Sequence, residues 1–123
     1  MTDSLRGQTD SLRELSEAGV AIWLDDMSRG RLSTDNLADL IRDRHVVGVT
    51  TNPTLYAKVG GSYDDILREV CTITPGPVSA EVIADDVEGM LEEGRHFAKI
   101  APNIVVKVAM SENGLEAISR LAD

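Results

Sequence analysis

The stretch that decides the fold is NIVVKVAM, residues 103–110. Five of these residues, Ile104 to Val108, have the length and composition of a buried strand, apart from the ammonium group of Lys107. Lysine is almost never fully buried unless it is paired. Burial favours the neutral amine, which is the nucleophile that forms a Schiff base with a carbonyl. The stretch therefore predicts a reactive lysine or, alternatively, an exposed strand end.

The composition favours one small acidic domain over residues 1–123. The 12 Lys and Arg residues against 21 Asp and Glu residues give a net charge of −9, which argues against nucleic acid or an anionic membrane as a partner. The single cysteine, Cys71, fits a reducing compartment. No apolar run approaches the roughly 18 residues of a membrane span. We therefore expect a cytoplasmic protein.

Apolar runs alternate with amphipathic segments along the chain. The amphipathic segments keep apolar residues at helical spacing, as Ile66, Leu67 and Val70 do, and Ser111 is expected to cap the last helix. Near-continuous apolar strands separated by helices predict an α/β fold with a parallel β-sheet covered by helices. The expected strands are Val20–Leu24, Val46–Val49, Val78–Val82 and Ile104–Val108.

A polar residue stands at the end of each expected strand. These residues are Asp25, Asn52, Glu81 and Lys107, and they are 27, 29 and 26 residues apart. Such a constant period places them at the carboxyl ends of consecutive parallel strands, where active sites lie in closed (β/α) barrels and in open doubly wound sheets. Each residue alone is also typical of a loop boundary, a turn or a sheet edge. The shared period favours the functional interpretation.

The residue types at this edge limit the chemistry. His45 and His96 have no second His or Cys close in sequence, so no metal site is predicted. Gly60-Gly61 fits no nucleotide-binding fingerprint, and there is no serine nucleophile motif. An amine beside carboxylates suits imine formation at a ketone followed by carbon–carbon cleavage, with a carboxylate moving the proton of a sugar hydroxyl.

Several motifs together resemble the transaldolase family. They are Leu24-Asp25, Val49-Thr50-Thr51-Asn52-Pro53, Val78-Ser79-Ala80-Glu81-Val82 and Ile104-Val105-Val106-Lys107-Val108 with Gly114-Leu115. The resemblance implies the first four βα units of a TIM (β/α)8 barrel, a half-barrel with its strands in sequence order. It also implies catalysis without metal or cofactor. Transaldolases move a dihydroxyacetone unit from sedoheptulose 7-phosphate to glyceraldehyde 3-phosphate in the pentose phosphate pathway, giving erythrose 4-phosphate and fructose 6-phosphate.

The resemblance assigns three catalytic roles. Lys107 matches the Schiff-base lysine of the family. Asp25 matches the acid/base that handles the proton of the C4 hydroxyl. Glu81 matches the carboxylate that acts through a water during imine formation.

Three further residues are implied to bind the sugar phosphate substrate. Asn52 matches the amide that hydrogen-bonds the hydroxyls of the donor, and Thr51 would shape the same pocket. After the lysine the family usually reads Lys-Ile-Pro-x-Thr, whereas this chain has Val108-Ala109-Met110-Ser111. Ser111 retains a hydroxyl at the threonine position, so we count it as substrate-binding.

The sequence stops at Asp123, after the fourth expected unit, and the family's later strands carry a threonine, serine-containing loops and a phosphate-binding arginine. We therefore expect a truncated or mosaic chain that is inactive alone and associates with a second copy to complete the half-barrel. One alternative is a non-catalytic remnant or assembly module of the same fold. A fructose-6-phosphate aldolase, which is a lyase, is a second possibility. A deoxyribose-phosphate aldolase type is a third, against which the Thr-Thr-Asn-Pro motif argues.

Overall fold

The computed structural model describes residues 11–25, 39, 41–42, 46–53 and 62–123. Within these ranges the strands are β1 (Ile22–Leu24), β2 (Val46–Thr50), β3 (Val78–Glu81) and β4 (Ile104–Lys107). The helices with defined bounds are α1 (Tyr63–Ile73), α2 (Val87–Ala98) and α3 (Glu112–Ala122). Residues 11–17 are also helical. Across the described ranges, no helix combines the length and the apolar character needed to cross a membrane.

The four strands pair in parallel in one sheet with the order β1-β2-β3-β4. This confirms the predicted α/β architecture, which is consistent with part of a TIM barrel. The strand bounds differ from the prediction by one or two residues, since β1 begins at Ile22 and β2 continues through Thr50. An apolar run indicates which residues are buried, whereas the ends of a strand are defined by its ladder hydrogen bonds. The range of the apolar run and the range of the strand therefore need not coincide.

The helices cover one face of the sheet, and the hydrophobic core lies between them. Val49, Val78 and Ala80 of the sheet are fully buried there. Leu67 and Val70 of α1 belong to the same buried cluster and are also completely inaccessible to solvent. Aliphatic side chains from both layers therefore supply the burial that stabilises this side of the sheet.

The opposite side of the sheet is open to solvent. Trp23 is 42% exposed and Val105 is 50% exposed. The Trp23 ring lies directly over Gly48, where an added Cβ atom would come within 2.9 Å of the ring carbons, so a larger residue there would require the ring to move. Lys107 shares the side of β4 that carries Val105, because side chains alternate along a strand. We refer to this surface, which carries Trp23, Val105 and Lys107, as the open face.

Replacing Leu67 by alanine is expected to destabilise the protein by about 2–5 kcal/mol, because a buried leucine loses its transfer free energy and leaves a cavity. Leu115 is the matched control, since it is 54% exposed on α3 and its replacement by alanine should cost about 0.5 kcal/mol or less. Urea denaturation followed by circular dichroism measures both changes. Equal midpoints for the two variants would contradict this description of the core.

Candidate active site

The structure brings the predicted strand-end residues to one edge of the sheet. Glu81 and Lys107 are the last residues of β3 and β4 and are register partners. Paired residues of neighbouring parallel strands point to the same face, and the strands lie about 4.8 Å apart. Asp25 directly follows β1, and Asn52 follows β2 by two residues. All four residues therefore lie at the carboxyl ends of the strands, as the period predicted.

A hydroxyl on the neighbouring strand orients Asp25. Thr50 Oγ1 donates to Asp25 Oδ1 at 2.6 Å, whereas its distance to the Leu24 carbonyl oxygen is 3.5 Å. A threonine hydroxyl has one proton, so the shorter bond to the carboxylate is the one it makes. Sequence reasoning gave Thr50 no role. The strand alternation that places it beside Asp25 is the signal that could have found it.

Asn52 and Glu81 are joined directly. Asn52 Nδ2 donates to Glu81 Oε2 at 3.3 Å, and both side chains are half-buried. The backbone carries them to the same level, because the Thr51 N–H donates to the Ser79 carbonyl at 3.0 Å and so continues the ladder beyond β2. The Asn52 carboxamide, which matches the substrate-binding amide of the family, thus also holds Glu81 Oε2 in place.

Thr51 lies on the helix-covered side of the sheet and is buried. Its Oγ1 donates to the Ser79 carbonyl oxygen at 2.6 Å, and the Tyr63 hydroxyl lies 2.5 Å from the same Oγ1. The backbone N–H of Glu81 donates to the Tyr63 hydroxyl at 3.4 Å. Desolvation by burial raises the pKa of Tyr63 above its ordinary value. The Thr51 hydroxyl is thus engaged inside the protein, and its part in a substrate pocket stays a prediction.

The side chain of Lys107 is exposed on the open face. It takes part in no hydrogen bond or ion pair with the residues described. The lysine is therefore not buried in the part of the chain that the structure describes, which matches the alternative of an exposed strand end, and its role as the Schiff-base amine stays a prediction. The physical reason is that no described element stacks on this side of β4, where Val105 is also half exposed.

Ser111 directly precedes α3 and caps it. Its Oγ accepts a hydrogen bond from the Gly114 N–H at 2.9 Å. Ser111 and Glu81 both line an open groove of about 630 Å³ between the loops that follow β3 and β4. Lys107 lies outside the lining of this groove. Of the predicted substrate-binding residues, Ser111 thus lines the groove, whereas Asn52 and Thr51 lie at the sheet edge.

The donor set at this edge is suited to proton transfer and imine chemistry. In the part of the chain that the structure describes, no group of three or more His, Cys, Asp or Glu side chains converges as a metal site would require. The edge instead offers two carboxylates, an amide and a primary amine on four neighbouring strands. Such a set can form an imine, move protons and hydrogen-bond hydroxyls.

A family model described as transaldolase/fructose-6-phosphate aldolase matches residues 22–123. The chain belongs to this family. It is 52% identical over 89 residues to a probable transaldolase of Desulforapulum autotrophicum. It is 53% identical over 76 residues to a probable transaldolase of Anaeromyxobacter sp. strain K and 51% identical over 78 residues to one of Bacillus cereus. The predicted family resemblance is confirmed.

The matches to these transaldolase relatives are partial. They cover 72%, 62% and 63% of this chain but only 41%, 35% and 36% of the respective relatives. The chain thus spans between 35% and 41% of the length of the curated relatives it matches. Family membership therefore rests on the family model that matches residues 22–123, and the α/β fold on the observed sheet and helices.

Proposed function

We propose that this chain carries the Schiff-base machinery of a transaldolase-type transfer, moving a dihydroxyacetone unit from sedoheptulose 7-phosphate to glyceraldehyde 3-phosphate. The observation that carries the proposal is the register pairing of Glu81 with Lys107 at the carboxyl edge of a parallel sheet in a transaldolase-family chain. This pairing places a carboxylate one strand away from the amine. The substrates and the pathway come from the family resemblance.

In the proposed reaction the Lys107 amine adds to the C2 carbonyl carbon of the ketose phosphate. The carbinolamine then loses water and becomes a protonated imine, with Glu81 moving protons through a water molecule. The C3–C4 bond breaks as its electron pair flows toward the iminium nitrogen, and a base removes the C4 hydroxyl proton. An aldose phosphate leaves, and the remaining enamine adds to the acceptor aldehyde. Water then hydrolyses the new imine, which releases fructose 6-phosphate and restores the Lys107 amine.

We assign the C4 hydroxyl proton to Asp25. The hydrogen bond from Thr50 Oγ1 fixes one carboxylate oxygen at 2.6 Å, which leaves Oδ2 available to accept the proton. Asn52 would hold the hydroxyls of the donor through its carboxamide, next to the carboxylate of Glu81. Holding the reacting groups in position in this way lowers the barrier of the reaction.

Turnover in this proposal requires a cover over the open face, because burial makes a lysine amine nucleophilic and Lys107 is exposed. Association with a second copy that completes the half-barrel is one such cover. It would also bury Trp23 and Val105, and each large apolar side chain removed from water contributes roughly 1.5–3 kcal/mol.

The cytoplasmic location of the protein remains a prediction.

Self-association through the open face should weaken when a charge is placed there. Val105→Asp is expected to raise the dimer dissociation constant by roughly ten-fold or more, because a two-fold interface contains each substitution twice. Leu115→Asp on α3 is the control for a charge on the helix-covered side. Sedimentation velocity at several concentrations measures both variants. A Val105→Asp chain that associates as tightly as the control would contradict the role of this face.

Product analysis tests the proposed reaction. The protein is incubated with sedoheptulose 7-phosphate, with and without glyceraldehyde 3-phosphate, and the sugar phosphates are separated. Transfer predicts fructose 6-phosphate and erythrose 4-phosphate only when the acceptor is present. Release of glyceraldehyde 3-phosphate in a separate incubation with fructose 6-phosphate alone would favour the aldolase alternative. No product from associated protein would favour the non-catalytic alternative.

A further inference from the structure

We infer that Tyr63 is a positioning residue whose hydroxyl sets the relative placement of Asn52 and Glu81 at the carboxyl edge of the sheet. Its effect on the reaction rests on the proposed function, whereas its effect on placement does not. Tyr63 begins α1, on the far side of the sheet from the open face. Its hydroxyl reaches between the ends of two strands, where it contacts Thr51 and the backbone of Glu81.

The proton order along this contact follows from counting donors. Thr51 Oγ1 lies 2.6 Å from the Ser79 carbonyl oxygen, which can only accept, so the threonine gives its one proton to that oxygen. The Tyr63 hydroxyl must then be the donor in its 2.5 Å bond with Thr51 Oγ1. Its oxygen remains able to accept from the Glu81 N–H at 3.4 Å. A hydrogen-bond chain therefore runs from Glu81 through Tyr63 and Thr51 to Ser79.

The hydrogen-bond chain forms a closed ring of contacts around the ends of β2 and β3. Thr51 is bonded covalently to Asn52, and Asn52 Nδ2 reaches Glu81 Oε2 at 3.3 Å. Glu81 in turn donates its backbone N–H to Tyr63. The position of the Glu81 carboxylate relative to the carboxamide thus depends on the phenolic oxygen in addition to the direct bond from the Thr51 N–H to the Ser79 carbonyl. Bonds in such a chain polarise one another, so the loss of one member weakens the rest.

The ring of Tyr63 is held independently of its hydroxyl. It packs edge-on against Phe97 of α2, with the ring centroids 5.5 Å apart and the planes at 88°. Burial keeps the phenol protonated, since desolvation raises the pKa of Tyr63, so the hydroxyl remains a donor to Thr51 at ordinary pH. Tyr63→Phe therefore removes the oxygen and leaves the ring contact in place.

Amide hydrogen exchange measured by NMR tests the placement. In Tyr63→Phe the Glu81 amide is expected to exchange roughly ten-fold faster relative to the adjacent Val82 amide, which donates to the Lys107 carbonyl at 3.1 Å and does not depend on Tyr63. A purely global loss of stability would accelerate both amides equally. Thr72→Val removes a different hydroxyl of α1, one bonded to the Arg68 carbonyl, and should leave the ratio unchanged. An unchanged ratio in Tyr63→Phe would overturn the inference.

Borohydride trapping of the Lys107 adduct with fructose 6-phosphate tests the consequence for the reaction. Tyr63→Phe should lower the saturating trapping rate by roughly ten-fold and leave the half-saturating sugar concentration unchanged. The Glu81 N–H loses its acceptor, whereas the backbone next to Asn52 stays held by the bond from the Thr51 N–H to the Ser79 carbonyl. An unchanged saturating rate would overturn the catalytic part of the inference. Absence of any adduct in the wild-type protein would overturn the proposed function instead, and the exchange ratio would still decide the placement.

Discussion

Lys107→Met should abolish the adduct that borohydride traps with fructose 6-phosphate or dihydroxyacetone, and with it any transfer activity. Methionine has a similar unbranched side chain and lacks the amine, so no imine can form at this position. Because the Lys107 side chain is exposed and makes no hydrogen bond or ion pair with the described residues, its replacement should leave the fold intact. Intact-protein mass spectrometry after reduction measures the adduct directly.

The control for this substitution is Lys99→Met. Lys99 is an exposed lysine at the C-terminal cap of α2, so its replacement makes the same change in charge and in the number of amines. It should retain the adduct at the wild-type level. Equal labelling of the Lys107→Met and wild-type proteins would show that the reactive amine lies elsewhere and would remove Lys107 from the mechanism.

Glu81→Gln should slow imine formation by about 10²–10⁴-fold, which is the usual contribution of a positioned general acid or base. The replacement is nearly isosteric, and its amide oxygen can still accept the hydrogen bond from Asn52 Nδ2. The substitution therefore removes proton transfer while it leaves the contact between the two strand ends. The rate of adduct formation under saturating dihydroxyacetone, followed by quenching with borohydride, measures the change.

Glu116→Gln serves as the matched control for the Glu81 substitution. Glu116 is an exposed residue of α3, and its replacement changes the net charge by the same amount without reaching the sheet edge. We expect a wild-type rate of adduct formation for this variant. If both variants react equally fast, Glu81 does not move protons in imine formation, and the pairing with Lys107 is structural.

The sequence predicted the layout of the fold because two strong patterns agree. The apolar runs and helical periodicities indicate which segments form strands and helices. The nearly constant spacing of the polar residues from Asp25 to Lys107 indicates that these residues lie at the same edge of the sheet. The predicted capping of α3 by Ser111 is also observed. These features are local or nearly periodic, so they can be read from one sequence.

The surroundings of the site residues were harder to predict, because they depend on which elements pack on each face. Lys107 lies in an apolar run, yet its side of β4 is uncovered in the described structure. Tyr63 fits the apolar face of α1, and nothing in the helical pattern shows that its hydroxyl reaches Thr51 and Glu81. Contacts between residues far apart in the chain follow from the sheet register, which the sequence pattern alone leaves open.

The central claim is that Lys107 is the amine that forms the Schiff base, and mapping the trapped adduct tests it most directly. The sequence contains three lysines, Lys58, Lys99 and Lys107, so the site can be assigned without ambiguity. After reduction with dihydroxyacetone and borohydride, digestion at glutamates followed by tandem mass spectrometry should place the added mass on Lys107. Trypsin should also fail to cleave after that residue. An adduct on Lys58, Lys99 or the N-terminal amine, with Lys107 unmodified, would contradict the account.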